Sequence, residues 1–409
     1  MNILIICQYF YPENFRINDI ASEWVRRGHK VNVITGIPNY PEGSFYKGYS
    51  LFTKRNEEYN GVVIHRIPII PRGHSKIGMV LNYLSFLISG LMWANTTHLR
   101  SDVVFSFETS PMTQVLVGTR YCMRTHTRHI VYVQDLWPEN VEEVGGVHSP
   151  MIIRPLDHMV KKIYRNADLI LATSPSFVEM IRNRMRTDKR IIGGVDENKV
   201  RYWPQYAEDF YQPVVNDILS EDESFRIVFT GNIGYAQGLD VLPACAKLLC
   251  EKGFGHKIHF VLVGDGRAKP DLLEMIDRFG VADLFDFLGR KSPEEIPKIL
   301  STCDVAFLSF TDNKLFGATI PAKLQSYMAC AMPILAAATG ETRKIIEDSG
   351  CGICTTPGDE NAIADEIIGL LSFTSLQLKT MSENSLNYSR KHFDRIALMD
   401  MMESFLTDE

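Results

Sequence analysis

At 409 residues, 45% apolar and 22% charged, the chain is long enough for two or three domains and has the composition of a folded protein with a sizeable core. Its formal net charge of −6 is uneven, with 25 Lys and Arg against 20 Asp and Glu over residues 1–210, and 18 against 29 over residues 211–409. No run interleaves basic and aromatic residues as a nucleic-acid partner would require, no basic stretch precedes an apolar core as in a secretory signal, and the scattered cysteines fit a reduced, cytoplasmic setting.

In chain order, strands are predicted at residues 2–7, 31–35, 62–67, 103–107, 129–133 and 169–173, with an amphipathic helix at 18–27 that Gly28 stops. Residues 79–94 form the longest apolar stretch, 16 residues interrupted by Asn82, Ser85 and Ser89, short of the roughly 20 a spanning helix needs. The Met, Leu, Phe, Tyr and Trp side chains of residues 76–93 are read either as core or as a face dipping into lipid. Residues 202–223, rich in Pro, Tyr and acids, lose all periodicity and are expected to be a linker.

The pattern restarts with strands at 226–230, 258–264, 285–288, 305–310, 333–338 and 352–355. Ser292-Pro293-Glu294-Glu295 reads as a capping box, and a further helix is expected from Thr319-Ile320-Pro321 through Cys330. Cys351 and Cys354 fall in the last strand, with no second pair to make a redox or metal motif. The expectation is an α/β protein of two Rossmann-like, doubly wound parallel-sheet lobes, residues 1–205 and 206–388, with a C-terminal helix at 389–409 leaning on the first.

Ligands bind such lobes at the carboxyl ends of the strands, where helix N-termini offer unpaired N–H groups and partial positive charge. Three such places converge in the second lobe: the glycine-rich loop Gly231–Gly238, the turn Val263-Gly264-Asp265-Gly266-Arg267, and the helix start at Thr319–Lys323. With Arg267 and Lys323 as cations, together they point to a diphosphate site. Neither loop is a GxGxxG after the first strand and no Walker A sequence is present, which disfavours a dinucleotide dehydrogenase or a P-loop enzyme.

Gly231-Asn232-Ile233-Gly234, Gln237-Gly238-Leu239-Asp240, Val263-Gly264-Asp265-Gly266 and Pro321-Ala322-Lys323-Leu324-Gln325-Ser326-Tyr327-Met328-Ala329 together resemble family 4 retaining glycosyltransferases of the GT-B fold. In the first lobe, Thr35-Gly36-Ile37-Pro38-Asn39-Tyr40-Pro41-Glu42-Gly43 and Val133-Gln134-Asp135-Leu136-Trp137-Pro138-Glu139 look like the branch that builds O-antigens and capsules, including transferases of N-acetylated deoxyhexosamines such as fucosamine. The resemblance covers essentially the whole chain. It implies two lobes facing a cleft, a UDP-sugar donor on the second lobe, and a polyprenyl-diphosphate-linked saccharide acceptor on the first. It further implies a peripheral enzyme on the inner face of the cytoplasmic membrane.

On that resemblance the donor-binding candidates are Gly231, Asn232, Gly234, Gln237, Gly264, Arg267, Thr319, Ile320, Lys323, Gln325 and Ser326, and the acceptor-binding candidates are Asn14, Arg16, Asn39 and Tyr40. The chain departs from the family pattern in places. The family's two glutamates eight positions apart are absent, Lys314 or Ala318 and Ser326 standing where they would fall, so Gln325 or Ser326 is left to hold the ribose. Asn232 and Gln237 replace the usual loop cations, and Pro12-Glu13-Asn14-Phe15-Arg16 replaces a glycine pair.

Asp135, after a strand's carboxyl end, is the candidate for orienting sugar or acceptor, with loop capping at Trp137-Pro138 as its other reading; Glu13 is the alternative acid/base. No DxD or His/Cys cluster is visible, so no metal cofactor is expected. Two rivals remain open: a nucleotide-sugar epimerase of the same architecture, and a non-catalytic nucleotide-sugar-binding partner.

Overall fold

The β-branched runs of the first half form an eight-stranded sheet in the computed structural model, which describes residues 1–191, 194, 196–214 and 224–407. Its strands are β1 (Asn2–Ile6), β2 (Lys30–Thr35), β3 (Asn56–Tyr59), β4 (Val62–Arg66), β5 (Val103–Glu108), β6 (Arg128–Val133), β7 (Leu169–Ala172) and β8 (Val200–Tyr202), in the order β3-β4-β2-β1-β5-β6-β7-β8. Every neighbour is parallel except β3, which pairs antiparallel with β4. β1 and β5 are buried almost throughout because helices cover both faces, as a parallel sheet demands. Two strands carry no periodic signal. β3 is an edge ribbon of Asn-Glu-Glu-Tyr with alternate residues in solvent, and β8 is a three-residue edge at the start of the expected linker. Residues 215–223 of that linker lie outside the described residues.

The second sheet contains β9 (Phe225–Thr230), β10 (Ile258–Val263), β11 (Phe285–Gly289), β12 (Val305–Ser309), β13 (Ile334–Ala337) and β14 (Gly352–Thr355), all parallel, in the order β11-β10-β9-β12-β13-β14. Strand order reverses between β1 and β5 in the first sheet and between β9 and β12 in the second. Those reversals are where a doubly wound sheet opens a crevice for a ligand.

The chain divides into two units, Met1–Trp203 with Met401–Glu409, and Pro204–Asp400. The return to the first unit therefore begins at Met401 rather than at 389. Up to that point the chain is held within the second unit: Arg395 reaches Asp209 at 3.4 Å and the Tyr206 hydroxyl reaches Met399 Sδ at 3.7 Å. Beyond it, His29 Nε2 meets Glu403 at 2.8 Å and Arg128 donates to the Phe405 carbonyl at 2.6 Å, which pins the last turns to the first unit. In the second unit the helix expected from Thr319 starts at Ala322. A short turn at Lys314–Gly317 precedes it and Pro321 stands extended at its cap.

The apolar stretch at 79–94 lies in a 21-residue helix, Lys76–Thr96, whose length and mean hydropathy of 1.6 are those of a membrane span, more than the interrupted run suggests. Ser75 caps its N-terminus by accepting from Gly78 N at 3.0 Å. Asn82, Phe86, Gly90 and Ala94, four apart, form its buried stripe, which packs beside the helix Val115–Thr125. A side chain at Gly90 would put its Cβ 2.4 Å from Val117 Cγ2, so the two helices approach as closely as they do only because residue 90 has none. Gly90→Val should cost about 1–3 kcal/mol as an overpacking change, read as a lower denaturant midpoint at unchanged slope; an unchanged midpoint would show that the contact is looser than this.

Candidate functional site

In the second unit the loop after β9 and the loop after β10 are joined by backbone. Gly231 N donates to Val263 O and Ile233 N to Asp265 O, both at 2.9 Å, and Ala268 N donates to Ile233 O at 3.0 Å. Gly264 has φ +140, and a Cβ there would stand 1.8 Å from Gly231 O, so only glycine permits the join. Above it, the Lys323 ammonium donates to Gln237 Oε1 at 2.5 Å and sits 3.9 Å from the centroid of the Phe229 ring. The residue as a whole is half-buried, but its charged end is covered and meets no carboxylate among the described residues, so desolvation lowers its pKa to about 7. Arg267 is exposed on the turn after β10 and has no ion-pair partner among the described residues. Gly231, Asn232, Gly234, Gln237, Gly264, Arg267 and Lys323 are thus gathered at the carboxyl ends of β9 and β10.

Other donor candidates are already committed. Gln325 is fully buried, and its amide, oriented to suit its neighbours, donates to Pro321 O at 2.8 Å and Ala322 O at 3.1 Å. Ser326 Oγ bonds Ala322 O at 3.2 Å and Thr319 Oγ1 bonds Leu315 O at 2.8 Å. Ile320 is buried in the core beneath. Neither Gln325 nor Ser326 presents a free group to a ribose, because each satisfies a carbonyl of its own helix start instead.

In the first unit, the loops leaving β1, β2, β4 and β5 are tied by a buried amide network. Gln8 N donates to Gln114 Oε1 at 2.6 Å, Gln8 Nε2 donates to Asn82 Oδ1 at 2.6 Å, and Asn82 Nδ2 donates to Ile70 O at 2.6 Å. Asn39 belongs to this network and is 0% exposed: its Nδ2 donates to Ile37 O at 2.9 Å and its Oδ1 accepts Arg72 N at 2.9 Å. It shapes the loop and offers no face to an acceptor, a correction to the expected role. Tyr40 does offer one, at 39% exposed, with its ring 5.4 Å from that of Tyr9 and 5.7 Å from that of Phe15. Asn14 is exposed, and Arg16 is half-buried at the start of its helix.

The two carboxyl candidates differ sharply. Glu13 is 2% exposed, and its oxygens accept from Asn39 N at 2.8 Å, Tyr40 N at 2.7 Å and Phe10 N at 3.3 Å. It is a tether between two loops, and burial raises its pKa to about 7 against the backbone donors that lower it. Asp135 is half-buried; its Oδ2 accepts Ser110 N at 2.7 Å, and burial raises its pKa too. Its backbone N–H donates to Glu108 Oε2 at 3.2 Å, a fully buried carboxyl pushed well up by burial and by the Asp135 charge. Glu108 is a residue the sequence did not single out, since a lone Glu closing an apolar strand carries no motif. Of the two, Asp135 is the more exposed. Among the described residues, no group of three or more His, Cys, Asp or Glu is placed to hold a metal ion.

Residues 14–192 match the family model described as the glycosyl transferase 4-like domain, and residues 224–372 match that of the glycosyl transferases group 1. The chain is similar to the putative colanic acid biosynthesis glycosyl transferase WcaI of Escherichia coli (strain K12), 24% identical over 388 residues that cover 89% of this chain and 90% of that protein. Among solved structures it is similar to sucrose-phosphate synthase from Thermosynechococcus elongatus, with TM-score 0.75, 15% identity and 100% and 98% of the two chains covered. It is also similar to Anabaena HepE in complex with UDP, with TM-score 0.70, 15% identity and both chains covered in full. The structural likenesses show the fold, GT-B.

Because the folded protein raises the Glu13 pKa from 4.5 to about 7, the native state holds that proton more tightly than the unfolded chain. The Glu13 contribution to stability is therefore fully present below about pH 4.5 and is lost as pH rises through 7. Glu13→Gln, which has no such proton, should flatten the fall in unfolding free energy between pH 5 and 7. Parallel pH profiles for the two proteins would show Glu13 titrating as an ordinary carboxyl.

Proposed function

The chain belongs to the glycosyltransferases built from a 4-like domain followed by a group 1 domain, and on that premise we propose that it transfers an N-acetylated deoxyhexosamine such as FucNAc, with retention, from a UDP-sugar to a polyprenyl-diphosphate-linked saccharide. The observation that carries the donor half is the convergence of Gly231, Arg267 and Lys323, two basic side chains without an ion-pair partner among the described residues and a glycine backbone, at one sheet edge. Such prepositioned charge stabilises a departing nucleoside diphosphate, the largest electrostatic need of the reaction. UDP is supported by its presence in the HepE structure, and a surface polysaccharide by the colanic acid relative.

The anomeric carbon–phosphate oxygen bond breaks as the acceptor hydroxyl oxygen bonds that carbon from the same face, and the hydroxyl proton passes to the departing β-phosphate. Asp135 orients the sugar or acceptor, and no divalent metal takes part.

The acceptor half rests on the Lys76–Thr96 helix. Ile77, Ile88 and Met92 are 74%, 58% and 67% exposed, and Val80, Leu81 and Leu84 join them along one side. Of the apolar residues of this stretch read either as core or as a lipid face, Phe86 is fully buried, while Leu87 and Trp93 pack against the core, Trp93 stacked 5.6 Å from Tyr121. The lipid face is therefore the opposite stripe, lying along a membrane surface at the cytoplasmic side, with the positive balance of residues 1–210 drawn to anionic lipid.

The test is to incubate the protein with UDP-FucNAc, with and without a polyprenyl-diphosphate saccharide, in EDTA. Product on the lipid, and loss of about 1.5–3 kcal/mol of UDP affinity in Arg267→Ala, are expected. A new sugar nucleotide made from donor alone would identify an epimerase. UDP binding without turnover on any acceptor would identify a binding protein, and activity restored only by magnesium or manganese would overturn the metal-free scheme.

For the membrane, wild type should cosediment with anionic vesicles and retain part of that binding at high salt. Changing Ile77, Leu84, Ile88 and Met92 to Ser should abolish the salt-resistant part. If wild type stays in the supernatant, the acceptor must reach the enzyme without the membrane.

A further inference from the structure

Several buried and half-buried arginines of the first unit are paired with carboxylates. Arg66 pairs with Glu57, Arg165 meets Asp188 at 2.6 Å, and Arg184 meets Asp157 at 2.5 Å and also Glu139. Others reach peptide oxygens: Arg124 donates to Thr97 O at 2.7 Å and Arg128 to Phe405 O at 2.6 Å. Among the described residues Arg72, on the loop between β4 and the Lys76–Thr96 helix, has neither. Its guanidinium donates to the Tyr9 hydroxyl at 3.1 Å and to Met79 Sδ at 3.3 Å, and lies 5.3 Å from the Tyr40 ring centroid and 5.7 Å from that of Tyr83. A guanidinium carries five N–H donors in a fork that matches phosphate, and a phenol and a thioether leave most of that capacity unused.

The surroundings hold the group in place. The Arg72 backbone N–H is anchored on Asn39, itself in the buried amide network, and Tyr9 is wedged against Phe15 with rings 5.2 Å apart and 10° from coplanar. Three tyrosines hold the cation by their ring faces and a hydroxyl without neutralising it, so a nearly full positive charge stays half-exposed at the carboxyl edge of the first sheet. The Tyr83 hydroxyl is within electrostatic reach of both Arg72 and Asp135, which puts this charge in the neighbourhood of the candidate orienting carboxylate. It stands four residues ahead of the helix whose outer stripe is apolar.

We propose that Arg72, framed by Tyr9, Tyr40 and Tyr83, is the seat of a phosphate or diphosphate ester, that of the lipid-linked acceptor. This rests on the acceptor class proposed above, but the binding can be tested without any sugar transfer. The probe is farnesyl diphosphate, which carries the anion and a prenyl chain but no saccharide, titrated calorimetrically in saturating UDP so that the second unit's anion site is filled. Wild type should bind it. Arg72→Gln should bind at least tenfold more weakly, and Arg72→Lys, which keeps the charge and loses the fork, should fall between them, with UDP affinity equal in all three.

If Arg72→Gln unfolds at lower denaturant, Arg72→Lys decides, and unaltered farnesyl diphosphate binding in that variant overturns the proposal. Equal binding by wild type and Arg72→Gln, or no binding by wild type once UDP is bound, also overturns it. Vesicles of phosphatidylglycerol separate the other source of the same chemistry. Vesicle binding that depends on Arg72, with no binding of farnesyl diphosphate, would assign the anion to a membrane headgroup and overturn the acceptor assignment. Should the transfer assay fail while farnesyl diphosphate still binds through Arg72, the anion site stands and the transfer reading falls.

Discussion

Parallel pairing governs both units. With the exception of β3 against β4, every strand runs the same way as its neighbours, so each strand's exit loop reaches the same edge of its sheet. The faces are covered by helices and the interior of each strand is apolar, which leaves that edge as the place where charged and polar side chains can gather. The Gly231–Gly266 loops, Arg267 and Lys323 are brought together in the second unit for this reason. Glu13, Arg72 and Asp135, distant in sequence, are brought to one edge of the first unit by the same constraint.

Burial acts in opposite senses at the two edges. In the second unit it lowers Lys323 to about 7 by penalising its charged form, so an arriving anion would both gain a partner and restore the lysine's charge. In the first unit it raises the carboxyls of Glu13, Glu108 and Asp135, favouring their protonated forms. Arg72 is the exception there: burial disfavours its charge, and the surrounding tyrosines more than offset that. One edge thus holds a lysine whose charge burial disfavours, and the other three carboxyls whose protonated forms burial favours.

Much of the site could be read from residue order, though not all of it. Glycines at 231, 264 and 266 are legible because two loops can exchange backbone hydrogen bonds only where a Cβ is missing, and that need is written in single residues. The side-chain assignments fared less evenly. Gln325 and Ser326 look like ribose partners by position, yet their helix starts at Ala322, and its first-turn carbonyls take their hydrogen bonds. Asn39 and Glu13 sit in loops that look exposed by composition, and both are buried as the ties that give those loops their shape.

The sequence by itself determined the alternation of strands and helices, the loss of periodicity over residues 202–223, the two glycine loops and the fold class, since each depends on local period or on the steric demand of one residue. Tertiary structure alone decided which stripe of the Lys76–Thr96 helix faces inward, because Phe86 and Leu84 are equally apolar and only packing against the Val115–Thr125 helix distinguishes them. It decided the return of the chain at Met401 rather than at 389, through contacts with Asp209 and Tyr206 far away in sequence. It also decided that Arg72 is unneutralised while Arg66 and Arg184 are not. Whether a cation finds a carboxylate depends on which loops share an edge, and no local pattern encodes that.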